Sequence, residues 1–542
     1  MMGRRGLFFL LRSAALFFLV GAQTGFISID CGLTESPSYV DENDNLTYVS
    51  DDGFVDTGVN RQVDPELKET NKRYQTVRAF PNYTRNCYYF PATIGARYFI
   101  RAAFMYGNYD GLNTPPSFDL YLGVDLWNNI KLDNVTHQYR SEIIVQAEAS
   151  YTHLCLVETG GGTPFISYLK LRPLTDDVYA PANSSALVAL TTFRRVNLGA
   201  TGYVRYPDDR FDRIWTPDYD SYGTPYNTSE KIVESERSPF FALPSVVMQT
   251  AVYQLGGINI SWLGGADRSF YVFLEFADIL PTLSGTQRQM QVLENGQYWG
   301  EVNVSNLSPS ILYSTSPSSA PQFTFSIQSA NDSDEGAVLN SFEVYEVLTL
   351  SGSTTDAGDV TAITAIKEYY QLKRNWIGDP CLPDNSPWDG LTCGNDSRPW
   401  IVTLDLSNGG LSGEIVDHIS KLTELKTLNL SRNNLQGPVP PFLQEMPNLI
   451  NIDLSSNSLS GSIPNGLQEK VKNGEVMLRI DNNPLICQQD GCNQQESSNS
   501  SSSSSATAGS KGSNSATGLK NSYTVTAISV AIYLLLASCL SS

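Results

Sequence analysis

The chain has 542 residues, 41% hydrophobic and 11% aromatic, a composition that suits roughly three or four globular domains. Its formal net charge of −20, with no basic stripe evident in the sequence, argues against nucleic-acid binding and against adsorption to anionic membranes. Eight cysteines are too few for a disulfide-dense scaffold, so stability has to come from hydrophobic cores.

Residues 1–22 read as a secretory signal. Arg4 and Arg5 form a basic start, apolar runs at 7–11 and 14–20 follow, and Gly21-Ala22 supplies small residues for cleavage before Gln23. Twelve Asn-X-Ser/Thr sequons agree with export: Asn45, Asn82, Asn134, Asn183, Asn227, Asn259, Asn303, Asn306, Asn331, Asn395, Asn429 and Asn499.

From about 26 to 350 short strand-like runs dominate. Segments 98–106, 117–122 and 141–146 are rich in aromatic and β-branched residues and are separated by Gly, Asn, Pro and Asp clusters. The segment repeats at roughly 165 residues. Asp51-Asp52-Gly53-Phe54-Val55-Asp56 matches the acidic-aromatic pattern of Asp208-Asp209-Arg210-Phe211-Asp212, and 98–105 corresponds to 269–276. Two tandem β-sandwiches divided near Pro173 and Pro181 are expected. The acidic clusters have three readings: an acid–base pair, a calcium site, or turn caps paired with Arg205, Arg210 or Arg213. Neither follows an EF-hand loop, so the structural reading is preferred. Tyr88, Tyr89 and Phe90 are either a sugar-stacking platform or core, with core preferred. Cys31, Cys87 and Cys155 allow three pairings. Cys155 lies in an apolar strand pattern, which leaves Cys31–Cys87 as the expected bridge.

Several of these motifs are longer than turn chemistry requires. They are Ser28-Ile29-Asp30-Cys31-Gly32, the run 48–56, Asn86-Cys87-Tyr88, the run 203–209, and Asp212-Arg213-Ile214-Trp215. Together they resemble the plant malectin-like domain found in extracellular portions of leucine-rich-repeat receptor kinases, including the symbiosis receptor kinase. The resemblance covers about 26–492 and implies two malectin folds side by side. Animal malectin binds diglucose through aromatic and acidic residues. That site has no residue-by-residue match here, so carbohydrate binding is not carried over.

A helix is expected over 359–370, with Val360, Ile363, Ile366 and Tyr370 on one face and Asp359 as its cap. It leads into Trp376-Ile377-Gly378-Asp379-Pro380-Cys381, where Gly-Asp-Pro is turn chemistry. Cys381 and Cys393, twelve positions apart with Trp388 between them, can staple the open end of a repeat stack. The order resembles the N-terminal cap of plant leucine-rich repeats, which implies a Cys381–Cys393 bridge with Trp376 and Trp388 covering the first coil. In symbiosis-receptor-like proteins Gly-Asp-Pro-Cys is associated with release of the malectin-like part. The resemblance therefore makes Gly378, Asp379, Pro380 and Cys381 a candidate cleavage or hinge motif.

Leu404-Asp405-Leu406-Ser407, Leu428-Asn429-Leu430-Ser431 and Ile452-Asp453-Leu454-Ser455 recur at 24 residues and mark leucine-rich repeats. Asn433 and Asn457 are placed to bond turn backbone, while Gly409 replaces Asn in the first coil and is expected to weaken the ladder there. A degenerate fourth coil starts at Leu478, and Cys487–Cys492 is expected to close the stack. Residues 494–522 are Ser-rich and cannot fold by apolar burial. The apolar stretch 523–540 has no Lys or Arg after it, and small residues at Ser513 and Asn514 precede a polar spacer. This pattern matches a glycosylphosphatidylinositol (GPI) attachment signal; a membrane-spanning tail is the alternative.

The expected fold is mainly β: signal peptide 1–22, malectin-like sandwiches 23–180 and 181–350, helix and cap 351–400, and repeats with their cysteine cap 401–493. Stalk 494–522 and tail 523–542 follow. No nucleotide loop, kinase signature or nucleophile motif occurs, and the three His (His137, His153, His418) lack ligand spacing, so no cofactor, metal or catalysis is expected. The leading expectation is a GPI-anchored receptor or co-receptor on the outer plasma-membrane face. It binds an extracellular protein or peptide and works with a transmembrane receptor kinase. A cell-wall carbohydrate-binding protein is the alternative, and a glycan-acting enzyme a remote one.

Overall fold

The computed structural model describes residues 25–487 apart from 35–36, 68–70, 176–177, 233–242, 281–287, 331–335 and 395–397. The signal, stalk, tail, Cys492, Asn331, Asn395, Asn499, Ser513 and Asn514 lie outside the described residues. So does the proposed Cys487–Cys492 closure. Among the described residues no helix is long and apolar enough to cross a membrane.

Arg97–Phe104 shows how the first region forms. All eight residues are buried, because the strand lies inside a sheet covered on both faces. Tyr98, Ile100, Ala102 and Phe104 enter one core, and Phe99 enters another. The sheet has eleven strands. Its order runs Ser38–Val40, Thr47–Ser50, Ile27–Asp30, Tyr168–Pro173, Arg97–Phe104, Tyr139–Gln146, Val188–Leu198, Ser341–Thr349, Phe270–Phe276, Ser310–Tyr313, with Thr216–Asp218 beside Val188–Leu198. Ile143 opposite Thr191 and Ile144 opposite Leu190 join its two halves. A single sheet thus runs through both cores, a continuity that strand spacing does not reveal. One four-stranded sheet comprises Arg85–Pro91, Tyr151–Gly161, Ser117–Leu122 and Asp125–Ile130. Another comprises Ile258–Leu263, Gln322–Ser329, Arg288–Glu294 and Gln297–Val304.

The cysteine pairing differs from expectation. Cys87 and Cys155 face each other across the antiparallel strands Arg85–Pro91 and Tyr151–Gly161 and form the disulfide. Cys31 is a free, buried thiol at the end of Ile27–Asp30, a strand of the other sheet. The Cys31–Cys87 bridge is therefore corrected to Cys87–Cys155.

The helix spans Ala357–Tyr370, and its cap is Asp356, whose carboxylate accepts the Gly358 and Asp359 amides. Asp359, the expected cap, is buried and accepts the Ile401 amide of the first repeat strand at 2.7 Å. Ile363 and Ile366 pack into the repeat core. The repeat strands Ile401–Asp405, Thr427–Asn429, Asn451–Asp453 and Met477–Arg479 stack in parallel, with Leu404, Leu428, Ile452 and Leu478 in one row. Asn433 donates to the Leu406, Leu430 and Ser431 carbonyls and accepts the Gly409 and Leu411 amides. The second coil's asparagine therefore serves the coil that carries Gly409. Asn457 and Asn483 repeat the pattern one coil on.

Candidate functional site

The repeat stack needs an end. Strand Leu391–Cys393 pairs antiparallel with Ile401–Asp405, and the Cys381–Cys393 disulfide ties it to the preceding loop. Trp376 and Trp388 stack with ring centroids 5.2 Å apart inside the repeat core. The Trp388 indole N–H donates to the Ile377 carbonyl and that of Trp376 to the Asp389 carbonyl.

Gly378-Asp379-Pro380-Cys381 lies on this cap as a clasp against the first region. Gly378 has φ +81, a conformation that glycine adopts without a Cβ penalty. Asp379 Oδ1 accepts the Cys381 and Leu382 amides, each at 2.9 Å, and the Thr355 hydroxyl, while Oδ2 accepts the Thr355 amide at 2.9 Å. From strand Arg85–Pro91 the buried Arg85 guanidinium donates to the carbonyls of Ile377, Asp379 and Leu382. Asn375 returns a hydrogen bond to the Arg85 carbonyl. Ile377 packs on Cys87, Tyr121, Cys155 and Val157, so the disulfide of the first region forms the floor of the contact. Burial lowers the Arg85 pKa to about 10 against the opposing pull of Asp379, so the group stays charged at neutral pH. Burial, with Arg85 nearby, lowers the His153 pKa to about 4, which keeps that ring neutral. With the carbonyls of Ile377, Asp379, Pro380 and Leu382 all engaged, the motif is docked on both sides.

Beside the clasp Tyr89 and Tyr151, 43% and 44% exposed, stack at 5.5 Å, and His153 meets Tyr151 edge-on at 4.9 Å. Tyr88 and Phe90 are core residues. The preferred core reading thus holds for Tyr88 and Phe90, and of the three only Tyr89 reaches solvent.

The acidic clusters are structural, with partners other than those expected in two of three cases. Asp51 is fully buried and accepts two bonds from Arg78 and one from the Tyr88 hydroxyl. Asp209 takes Arg213 and the Trp215 indole. Asp212 crosses to the first half and accepts Lys170 at 2.7 Å and Arg172 at 2.8 Å. Asp52, Asp56 and Asp208 are exposed.

Sequence reasoning missed the row of charges beneath Asp212. Lys170, Arg101 and Glu142 sit directly opposite one another on three neighbouring strands of the long sheet, and Arg195 opposes Glu343 on the next two. Glu142 bridges Arg101 at 2.7 Å and Arg195 at 2.9 Å. Burial pushes the Glu142 carboxyl up, but Arg101 and Arg195 outweigh it and hold its pKa at about 2. Such a row costs desolvation, and it sets strand register more than it adds stability. Its signal in the sequence is a single charge inside each apolar run, as in Phe99-Ile100-Arg101-Ala102 and Leu169-Lys170-Leu171.

Nine sequons fall on described residues. Asn45, Asn82, Asn134, Asn227, Asn259, Asn303 and Asn306 are exposed, while Asn183 and Asn429 are half-buried. Asn429 lies on the repeat strands and donates to Asp405.

The malectin-like domain model matches residues 29–347, and the leucine-rich repeat model matches 424–446 and 448–469. The chain belongs to the malectin-like family. Among curated proteins its malectin-like and repeat regions are similar to two Arabidopsis thaliana proteins. One is a putative leucine-rich repeat receptor-like serine/threonine-protein kinase, 41% identical over 490 residues, 88% of this chain and 55% of that protein. The other is a putative leucine-rich repeat receptor-like protein kinase, 42% identical over 498 residues, 88% of this chain and 56% of that protein. The chain spans about half the length of these relatives. Among solved structures, the plant receptor-like kinase ANX2 aligns at TM-score 0.50 and 17% identity, over 60% of this chain and 96% of that one. This likeness shows a shared fold for the malectin-like region.

Proposed function

We propose that this malectin-like protein is a cell-surface receptor or co-receptor. On this reading it binds an extracellular protein or peptide and works with a transmembrane receptor kinase. The observation that carries the reading is the order of a malectin-like region, a stapled cap and leucine-rich repeats, aligned over 88% of the chain with receptor-like kinases. The docked clasp supports it by joining the two regions into one exposed surface. The reading includes two tandem malectin-like sandwiches with divisions near 180 and 350, export by the signal at 1–22, and a GPI anchor on the outer plasma-membrane face at Ser513 or Asn514. It assigns the chain no catalysis. Affinity capture from native membranes tests the partner, and phospholipase release from the cell surface tests the anchor.

The Gly378-Asp379-Pro380-Cys381 motif enters this proposal as a gated cleavage site. The Asp379 carbonyl accepts from Arg85 and the Pro380 carbonyl from the Trp388 amide, with the flanking Ile377 and Leu382 carbonyls also engaged, so a protease needs the clasp to open first. Replacing Asp379 and Pro380 and finding an unchanged fragment pattern on cells would remove the idea.

A second reading, a cell-wall carbohydrate-binding protein, is favoured by one feature, the exposed Tyr89–Tyr151 stack. Glycan-array binding lost on Tyr151→Ala would support it.

A further inference from the structure

At the edge of the charge row a small cavity of about 40 Å³ opens between the first half and the segment carrying Arg205 and Asp212. It has room for about three waters or for one carboxylate group, and not for a sugar ring. Five cations and two carboxylates line it. Arg73 is engaged by Asp41 and Asp44, Arg101 by Glu142 and Asp212, and Arg172 behind the lining by Asp212. The two lining carboxylates are thus shared among several cations, and the positive charge of Arg140 and Arg205 is additional to those pairs. The surroundings favour an anion, and the volume admits one the size of a carboxylate.

The donors are also in surplus. Lys170, with its side chain 1% exposed, gives one N–H to Asp44 and one to Asp212, two of the three it carries. The Tyr74 hydroxyl is buried, has Tyr168 as a side-chain polar neighbour, and makes no well-formed hydrogen bond among the described residues. Arg205 gives one 3.4 Å bond to the Asn43 carbonyl, and the exposed Arg140 forms no ion pair among the described residues. A buried donor left unmet is costly, and protein interiors rarely leave one without water or a ligand.

We propose that this cavity binds the carboxylate of an acidic ligand, held inside by Lys170 and the Tyr74 hydroxyl and at the mouth by Arg140 and Arg205. Burial, reinforced by Arg172 and Arg101 and opposed by Asp212 and Asp44, lowers the Lys170 pKa to about 7. A bound anion raises it again. The carboxylate has two sources, a free small acid or the C-terminus of a polypeptide whose remaining length leaves through the mouth. The site stands whichever partner the protein signals to.

The test is calorimetric titration of the full glycosylated chain, at low salt, with acetate, N-acetylglycine and N-acetylglycinamide. The acids are expected to bind and the amide not. Tyr74→Phe removes one buried hydroxyl and keeps the ring packed on Tyr168; with thermal unfolding unchanged, it is expected to bind acid several-fold more weakly. The Arg140→Ala/Arg205→Ala pair at the mouth is expected to lose about tenfold or more, with thermal unfolding unchanged. N-acetylglycine binding tighter than acetate assigns a chain terminus, and equal binding assigns a free acid. The proposal is overturned if no acid binds at tens of millimolar, if acid and amide bind equally, or if these variants leave the affinity unchanged.

Discussion

Replacing Asp379 by Asn exchanges one carboxylate oxygen for an amide nitrogen at the centre of the clasp. The remaining oxygen can still accept the Cys381 and Leu382 amides, but the new N–H₂ then faces the Thr355 N–H, which now donates to Oδ2 at 2.9 Å. Two donors are left opposed, and the Arg85 guanidinium loses its nearby opposite charge. Losing a charge-assisted bond and stranding a donor costs about 2 kcal/mol. Because Gly378 to Leu382 packs as a loop on both regions, the cost is expected as local opening, about 30-fold more frequent. Hydrogen exchange at the Thr355, Cys381 and Leu382 amides reads it directly, with the Leu428 amide in the repeat core as the unaffected reference. Exchange within about twofold of wild type at those three amides would refute the clasp. So would acceleration spread evenly through the repeats.

Breaking the Cys87–Cys155 bridge, a 68-residue separation, with Cys87→Ser and Cys155→Ser together is expected to cost about 4 kcal/mol in urea unfolding. Peptide mapping should recover Cys31 as the thiol alkylated only after unfolding. For His153 the folded pKa, about 4, lies below the ordinary 6.5, so the folded state holds the neutral ring and the unfolded chain takes up the proton first. Its contribution is complete above pH 6.5 and is lost as pH falls toward 4. Between pH 7 and pH 5 the wild type should lose about 1–2 kcal/mol more than His153→Gln, measured by denaturant midpoints at both pH values. Asn457→Ala strands the Leu430 and Leu454 carbonyls and the Leu435 amide. Thermal unfolding of the repeats should show a loss of about 3 kcal/mol, and a change under 1 would contradict the ladder.

The repeats were legible because their contacts are local: a residue stacks on the residue one period away, and the period is written in the chain. Asn433 and Asn457 could be assigned from that spacing alone. The strands of the malectin-like region were legible as elements, since 98–106 and 117–122 have apolar runs and turn residues at their ends. Their partners were not. Cys155 meets Cys87 only because two strands 68 positions apart happen to pair, and an apolar strand pattern around Cys155 looks the same with or without a bridge. The clasp was legible on one side only. Gly-Asp-Pro announces a turn, but Arg85 lies 294 residues upstream of Asp379, and nothing local to it indicates a guanidinium aimed at three carbonyls. Lys170, Arg101 and Glu142 were visible as charges inside apolar runs, yet their alignment depends on sheet register, which strand composition does not specify.

The receptor reading is tested most directly by capture of the full chain expressed in plant cells, cross-linked at the cell surface before solubilisation. The account predicts that a transmembrane receptor kinase is recovered repeatedly and that an added extracellular protein or peptide ligand increases the yield. Recovery of wall polysaccharide with no kinase, repeated with and without such a ligand, would contradict it.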